Sequence, residues 1–309
     1  MHWYAWQSPK TRLGNSWRAL AYLAERLQSP AEGPPGSLTH ALYLRPTLDV
    51  EVQISILMRQ PLAAVRPLLA RTRLHNKCFE IRRSERARPE QVRRYCERIR
   101  LAQQQEYLDL VRMDRRSRIV ASFHIGDYLY GAARLFSTES ASRRKFVVSL
   151  NRSAAASFEN LASGFDSSAP SIENELLLGS GSSTQLSGLL RDGSTSLLLF
   201  CDLPGGLTES AQVRFLDRSA RFSIGPALLA LANRVPLLPL LNFFDGSTNC
   251  VRLGKQIEPT LLESETLREG ATRLTQELAS LFESVFLEYP DQWRFTCLLP
   301  TYFRNSDTH

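Results

Sequence analysis

The pattern of apolar and polar positions changes character near residue 116. Before it, apolar residues recur with helical period. Residues 16–28 form one such segment, with Ser16 in place to cap it, and residues 50–75 and 89–113 form two more, the second long, basic and led by Pro89. Residues 29–37, rich in Pro and Gly, form a loop. From Arg118 onward, short apolar runs alternate with helix-period segments. The runs predict strands at Ile119–Phe123, Lys145–Leu150, Glu175–Leu178, Ser196–Asp202, Val213–Leu216, Leu237–Asn242 and Cys250–Leu253. The segments between them predict helices at Asp127–Phe136, Ala154–Ala162, Ser182–Arg191, Ile224–Asn233 and Glu263–Glu288. Short buried strands separated by helices imply an α/β fold: a largely parallel central sheet flanked by helices. The division is then a helical N-terminal region, residues 1–115, packed on an α/β core, residues 116–309.

Sheets of this kind place their sites beyond the C-terminal ends of the strands. His124 and Asp202 both fall at such ends. In Phe123-His124-Ile125-Gly126-Asp127, the His follows an apolar run and opens onto a helix. If helical geometry has begun by then, Asp127, three residues on, shares a face with it. A carboxylate beside an imidazole suits general-base chemistry, because the acid orients and charges a ring that takes protons near neutral pH. The plainer reading is a lone His near an element end with a capping Asp.

Charge adds an asymmetry. The chain carries 38 Lys and Arg against 31 Asp and Glu, and residues 1–118 hold 22 of the former with only 11 of the latter. The excess is densest in Arg82, Arg83, Arg86, Arg88, Arg93, Arg94, Arg98, Arg100, Arg115, Arg116 and Arg118. Such a surface fits an anionic membrane or an acidic carrier protein, or is simply a solvated helical face. Aromatic interleaving is sparse and no nucleic-acid motif occurs, so nucleic acid ranks last. The five cysteines show no CxxC pair and no metal spacing, which predicts reduced thiols in a cytoplasmic protein and no metal site. Cys201, beside Asp202, reads as a buried structural thiol before a nucleophile. No secretory signal is visible and no run of 18 apolar residues occurs. No Gly-x-Ser-x-Gly elbow supplies a serine nucleophile. Arg218 and Arg221 flank the Gly225-Pro226 turn, where they suit a phosphate or carboxylate, and Gly225 sits where a helix N-terminus faces an anion.

Four blocks, in order across about residues 94–303, resemble the lysophospholipid acyltransferase superfamily, nearest the lipid A lauroyl/myristoyl acyltransferases. They are His124-Ile125-Gly126-Asp127-Tyr128-Leu129; Leu189-Leu190-Arg191-Asp192-Gly193 with Leu197 to Asp202; Phe215-Leu216-Asp217-Arg218 with Gly225-Pro226-Ala227 and Val235-Pro236; and Tyr289-Pro290-Asp291-Gln292-Trp293. The resemblance implies an acyltransferase that moves an acyl group from a thioester donor to a hydroxyl or amine, with His124 as base. It implies no bound cofactor; the donor is a phosphopantetheine thioester on an acyl carrier protein or coenzyme A. The acceptor is a lipid or a specialised-metabolite intermediate. The chain lacks the N-terminal membrane helix of many such enzymes, so the expectation is a cytoplasmic protein with peripheral contact at the inner membrane. The resemblance further implies a basic residue after the strand ending at Leu150, which makes Arg152 the oxyanion candidate beside the reading of a surface Arg. Trp293 reads as a packing anchor. One departure stands out. The family's acid, five residues after the His, is Leu129 here, so the orienting acid is Asp127 or comes from elsewhere, Asp202 first. The alternatives to a transferase are a carrier-binding protein without turnover and a thioester hydrolase.

Overall fold

The structure, a computed structural model, describes residues 46–84, 89–102, 104–139, 143–148, 182–203 and 208–303. The helices expected at 16–28 and Ala154–Ala162, the strand at Glu175–Leu178 and the loop at 29–37 lie outside the described residues. So do Arg152 and the side chains of Arg82, Arg83, Arg86, Arg88 and Arg93. In chain order the elements are α1 (Leu48–Met58), α2 (Leu62–Ser84), α3 (Pro89–Arg98), β1 (Arg100–Leu101), α4 (Gln104–Met113), β2 (Arg118–Ser122), α5 (Tyr128–Phe136), β3 (Arg144–Val147), α6 (Ser182–Arg191), β4 (Thr195–Phe200), β5 (Ser210–Phe215), β6 (Arg218–Ser223), α7 (Gly225–Asn233), β7 (Leu237–Phe244), β8 (Asn249–Leu253) and α8 (Leu267–Glu288). Two 3₁₀ segments follow, Pro290–Gln292 and Thr296–Phe303.

Six strands form one sheet in the order β1-β8-β7-β2-β4-β3. β7, β2, β4 and β3 run parallel; β8 is antiparallel to β7, and β1 pairs parallel with β8. The fold is therefore α/β with a mostly parallel sheet. The central strands are apolar along both faces because both are covered. Ile119, Ala121 and Phe123 join Leu197, Leu199, Leu237 and Leu241 on one face, under α7 and α8. Val120, Leu198, Leu238 and Leu240 point the other way, under α5 and Phe79 of α2. Strand side chains alternate with period two, so one uninterrupted apolar run serves two cores.

Several boundaries differ from the pattern reading, each for a local reason. The segment 50–75 is two helices. Thr47 caps α1, and Arg59 ends it in the left-handed region (φ 52°), with Pro61 just beyond. The segment 89–113 is interrupted where Arg100 and Leu101 pair with Cys250 and Val251. α8 begins at Leu267 and not Glu263, because Thr266 and Glu269 close a reciprocal capping box there. β5 and β6 form an antiparallel hairpin through Leu216 and Asp217, both left-handed (φ 52° and 59°). That two-residue turn has the backbone of an Asn-Gly turn without its sequence signal.

Among the described arginines of the basic set, one is buried and two are paired with carboxylates. Arg118 is fully buried, and Arg100 pairs with Asp245. Arg116 forks onto two carboxylates, Asp114 (Nη2 to Oδ2, 2.6 Å) and Glu258 (Nη2 to Oε1, 2.9 Å), tying the entry of β2 to the segment after β8. The Arg116 hydrogen bonds hold the Asp114 carboxyl down at about 2, below its ordinary value of 3.8. A depressed folded value means that the stability is complete above the unfolded value of roughly 4 and is lost as pH falls toward 2. Arg116→Ala is accordingly expected to unfold at lower denaturant than the wild-type protein at pH 6, with the gap closing as pH drops from 4 to 2. A gap independent of pH over that range would contradict the assignment.

Candidate active site

β2 and β4 are parallel neighbours in the register Ser122↔Phe200. Two residues beyond those partners stand His124 and Asp202, side by side at the C-terminal edge of the sheet. The Cys201 N–H still donates to the Ser122 carbonyl (2.9 Å), so the pairing runs on up to the site. Asp202 is wholly buried. Its Oδ1 lies 2.7 Å from His124 Nδ1, and its Oδ2 accepts the His124 main-chain N–H at 2.7 Å. The indole Nε1–H of Trp293 donates to the same Oδ2 (2.8 Å), and the Tyr302 hydroxyl donates to the Asp202 carbonyl (2.6 Å). A carboxylate oxygen that accepts at this position calls for the proton on Nδ1, which leaves the lone pair on Nε2. No described residue bonds Nε2. The His124 side chain is 13% exposed. Its ring stacks on Phe200 (4.1 Å between centroids) and meets Tyr128 edge-on (4.7 Å) and Phe295 at a tilt (5.0 Å).

Asp127 is therefore not the carboxylate that meets His124. Helical spacing fails because the helix has not begun: Gly126 is left-handed (φ +58°) and α5 starts at Tyr128. The Asp127 carboxylate is buried on the other side of the turn, accepting from the Tyr95 hydroxyl and from Asn249 Nδ2 (3.3 Å), and so ties α5 to α3 and β8. Nor does it cap α5. Leu129 is buried in the second-face core beside Val120 and Leu240.

The His124 turn is gripped from the C-terminal side. Ile125 and Trp293 form an antiparallel bridge, Arg294 N–H donates to the His124 carbonyl (2.8 Å), and Gly126 N–H donates to the Gln292 carbonyl (3.0 Å). Gln292 reads the end of β7 as a strand would: Phe244 N–H donates to its Oε1 (2.7 Å) and its Nε2 donates to the Phe244 carbonyl (2.8 Å). This latch gives the Pro-Asp-Gln-Trp block a structural purpose that spacing does not reveal. Gly126 has a second requirement besides its φ. A Cβ there would stand 2.8 Å from the Asn242 carbonyl, and one at Gly131 would stand 2.7 Å from Asn242 Oδ1.

The anion-binding candidates divide. The Ser223 N–H donates to the Cys201 carbonyl (2.9 Å), which brings the end of β6 and Gly225, the first residue of α7, to the same sheet edge as Asp202. Arg221 lies two residues back on the Ser223 face of β6. Arg218 is at the far, exposed end of the strand, roughly 16 Å away at 3.3 Å per residue, and does not belong to the site. Arg152 lies outside the described residues. Among the described residues no group of His, Cys, Asp and Glu could hold a metal ion, and no helix is long and apolar enough to cross a membrane. No family model matches the chain, and neither does any curated protein.

Cys201 is fully buried, and burial, with Asp202 next to it, pushes its thiol well above the usual range. Burial also drives the Cys96 and Cys297 thiols up to about 12. A thiol so far above ambient pH supplies almost no thiolate. Iodoacetamide at pH 8, read by peptide mass spectrometry, is expected to leave all three unmodified in the native protein; labelling of Cys201 before global unfolding would contradict this. At Gly126, an alanine meets both a left-handed backbone and a main-chain clash. Gly126→Ala should cost about 3 kcal/mol or more, whereas Gly193→Ala (φ +74°, open space around the Cβ) should cost about 1 kcal/mol, by denaturant unfolding.

Proposed function

We propose that the protein is an acyltransferase that moves an acyl group from a carrier-protein or coenzyme A thioester to a hydroxyl or amine, with His124 as general base and Asp202 as its orienting acid. The observation that carries the reading is the His124–Asp202 pair at the C-terminal edge of a mostly parallel sheet, with Nδ1 bonded to a buried carboxylate and Nε2 bonded by no described residue. In this mechanism Nε2 takes the acceptor's proton as its oxygen or nitrogen attacks the thioester carbonyl. The imidazolium stands against the Asp202 carboxylate until the C–S bond breaks, and Nε2 then returns the proton to the departing sulfur. The helix N-terminus at Gly225 and the guanidinium of Arg221 suit the phosphates of a phosphopantetheine arm, and Arg152 remains the oxyanion candidate. The four sequence blocks that resemble the lipid A acyltransferases support the same class, and the acceptor is a lipid or a soluble biosynthetic intermediate. Asp202, on the neighbouring strand, supports the reading by offering His124 a carboxylate where position 129 has none.

The test is mass spectrometry of the protein incubated with acyl-carrier and coenzyme A thioesters and a panel of hydroxyl and amine acceptors. Transfer should vanish in His124→Ala. Asp202→Asn should lower it by about 10²–10⁴-fold, since an amide donating to Nδ1 enforces the wrong tautomer. Asp127→Asn should leave transfer near the wild-type level. Free acid released without any acceptor would identify a hydrolase, and carrier binding without turnover in any form would identify a binding protein.

A further inference from the structure

Trp293 is wholly buried, packed against Tyr302 (5.0 Å), Phe282 (5.2 Å) and Phe286 (5.4 Å). Packing of this kind needs an aromatic ring and no nitrogen. The indole N–H nevertheless lies 2.8 Å from Asp202 Oδ2, which also receives the His124 main-chain N–H. Two donors converging on one oxygen fix the plane of the carboxylate, and that plane decides where Oδ1 points. The main chain of Asp202 is already held by Tyr302 through its carbonyl. Rotation about the Asp202 Cβ–Cγ bond is then restrained at Oδ2 by the His124 N–H, and the indole is the second restraint on the same oxygen.

We propose that Trp293 is a positioning residue: its N–H sets the Asp202 carboxylate so that Oδ1 meets Nδ1 and His124 is held as the Nδ1–H tautomer. Its consequence for turnover rests on His124 being the base described above; the tautomer itself does not. Without the indole donor, Oδ2 keeps a single bond. The carboxylate can then turn, and the imidazole loses the partner that selects its tautomer. A ring of the same shape without the N–H would preserve the core and lose the selection.

Long-range ¹H–¹⁵N correlation of histidine-labelled protein at pH 8 reads the tautomer without substrate, with the His124 signals assigned by their disappearance in His124→Gln. The variants are Trp293→Phe and replacement of the Trp293 indole by benzothiophene, which keeps both rings and exchanges N–H for sulfur. The wild-type ring is expected to carry its proton on Nδ1. In both variants the ratio of Nδ1–H to Nε2–H should fall about tenfold, the effect of losing one hydrogen bond to a charged group. An unchanged ratio in the folded benzothiophene protein overturns the proposal and leaves Trp293 as packing alone, as does a wild-type ring protonated on Nε2. If Trp293→Phe fails to fold, the benzothiophene protein still decides. In the transfer assay the benzothiophene protein should lose kcat with KM held. A wild-type protein without turnover would overturn the acyl-transfer reading and leave the tautomer result standing.

Discussion

A carboxylate with no exposure to water governs this structure. Burying Asp202 costs several kcal/mol unless its oxygens find donors, and the donors come from separate parts of the chain. His124 gives its main-chain N–H and Nδ1 from the end of β2; Trp293 gives its indole from the C-terminal segment. Tyr302 fixes the backbone through the Asp202 carbonyl. The His124 bonds form when β2 and β4 pair, and the Trp293 and Tyr302 bonds form only when the segment after α8 has docked on them. The same contacts that make the burial tolerable therefore bind the end of the chain to the centre of the sheet. A group that is costly when unpaired thus becomes one that specifies a single arrangement.

The geometry follows from strand register. Parallel neighbours stand about 4.8 Å apart, and residues equally far beyond a register pair remain neighbours while the ladder continues, as it does through the Cys201 N–H to the Ser122 carbonyl. The spacing of His124 and Asp202 is in that sense a property of the sheet. The turn after His124 must then leave at once, without a helix wrapping back over the carboxylate. Gly126 does this by entering the left-handed region against the Asn242 main chain, where any other residue meets both a torsional cost and a clash.

The sheet was legible because β2, β4 and β7 are short, unbroken apolar runs, and burial on both faces leaves no other pattern open to them. β1 was not legible, since two residues carry no period, and neither was the β5–β6 turn, since Leu216 and Asp217 adopt left-handed conformations that side chains of their type rarely signal. The placement of His124 and Asp202 at strand ends was readable from pattern alone. The choice between Asp127 and Asp202 was not. Residues i and i+3 share a face only with helical torsions from residue 124 onward, and one glycine conformation, invisible in the spacing, sends Asp127 toward Tyr95 and Asn249 instead. Gln292 was equally opaque, because its two bonds to Phe244 depend on the end of β7 lying beside a segment 48 residues later in the chain.

Position 129 shows why a carboxylate that meets His124 comes from a strand and not from the helix that follows. Once Gly126 has turned the chain, the first turn of α5 faces the second core, and Leu129 packs there with Val120 and Leu240. An acid at 129 would be buried among apolar side chains, whereas Asp202 already stands beside the imidazole by register. A carboxylate on a neighbouring strand also meets the ring edge-on through Nδ1 while accepting the main-chain N–H of the same residue, which couples the ring to the backbone that carries it. A helical acid five residues away has no access to that N–H once the chain has turned. The strand-borne arrangement therefore ties the orientation of His124 to the pairing of β2 with β4 and leaves the helix free to serve as packing.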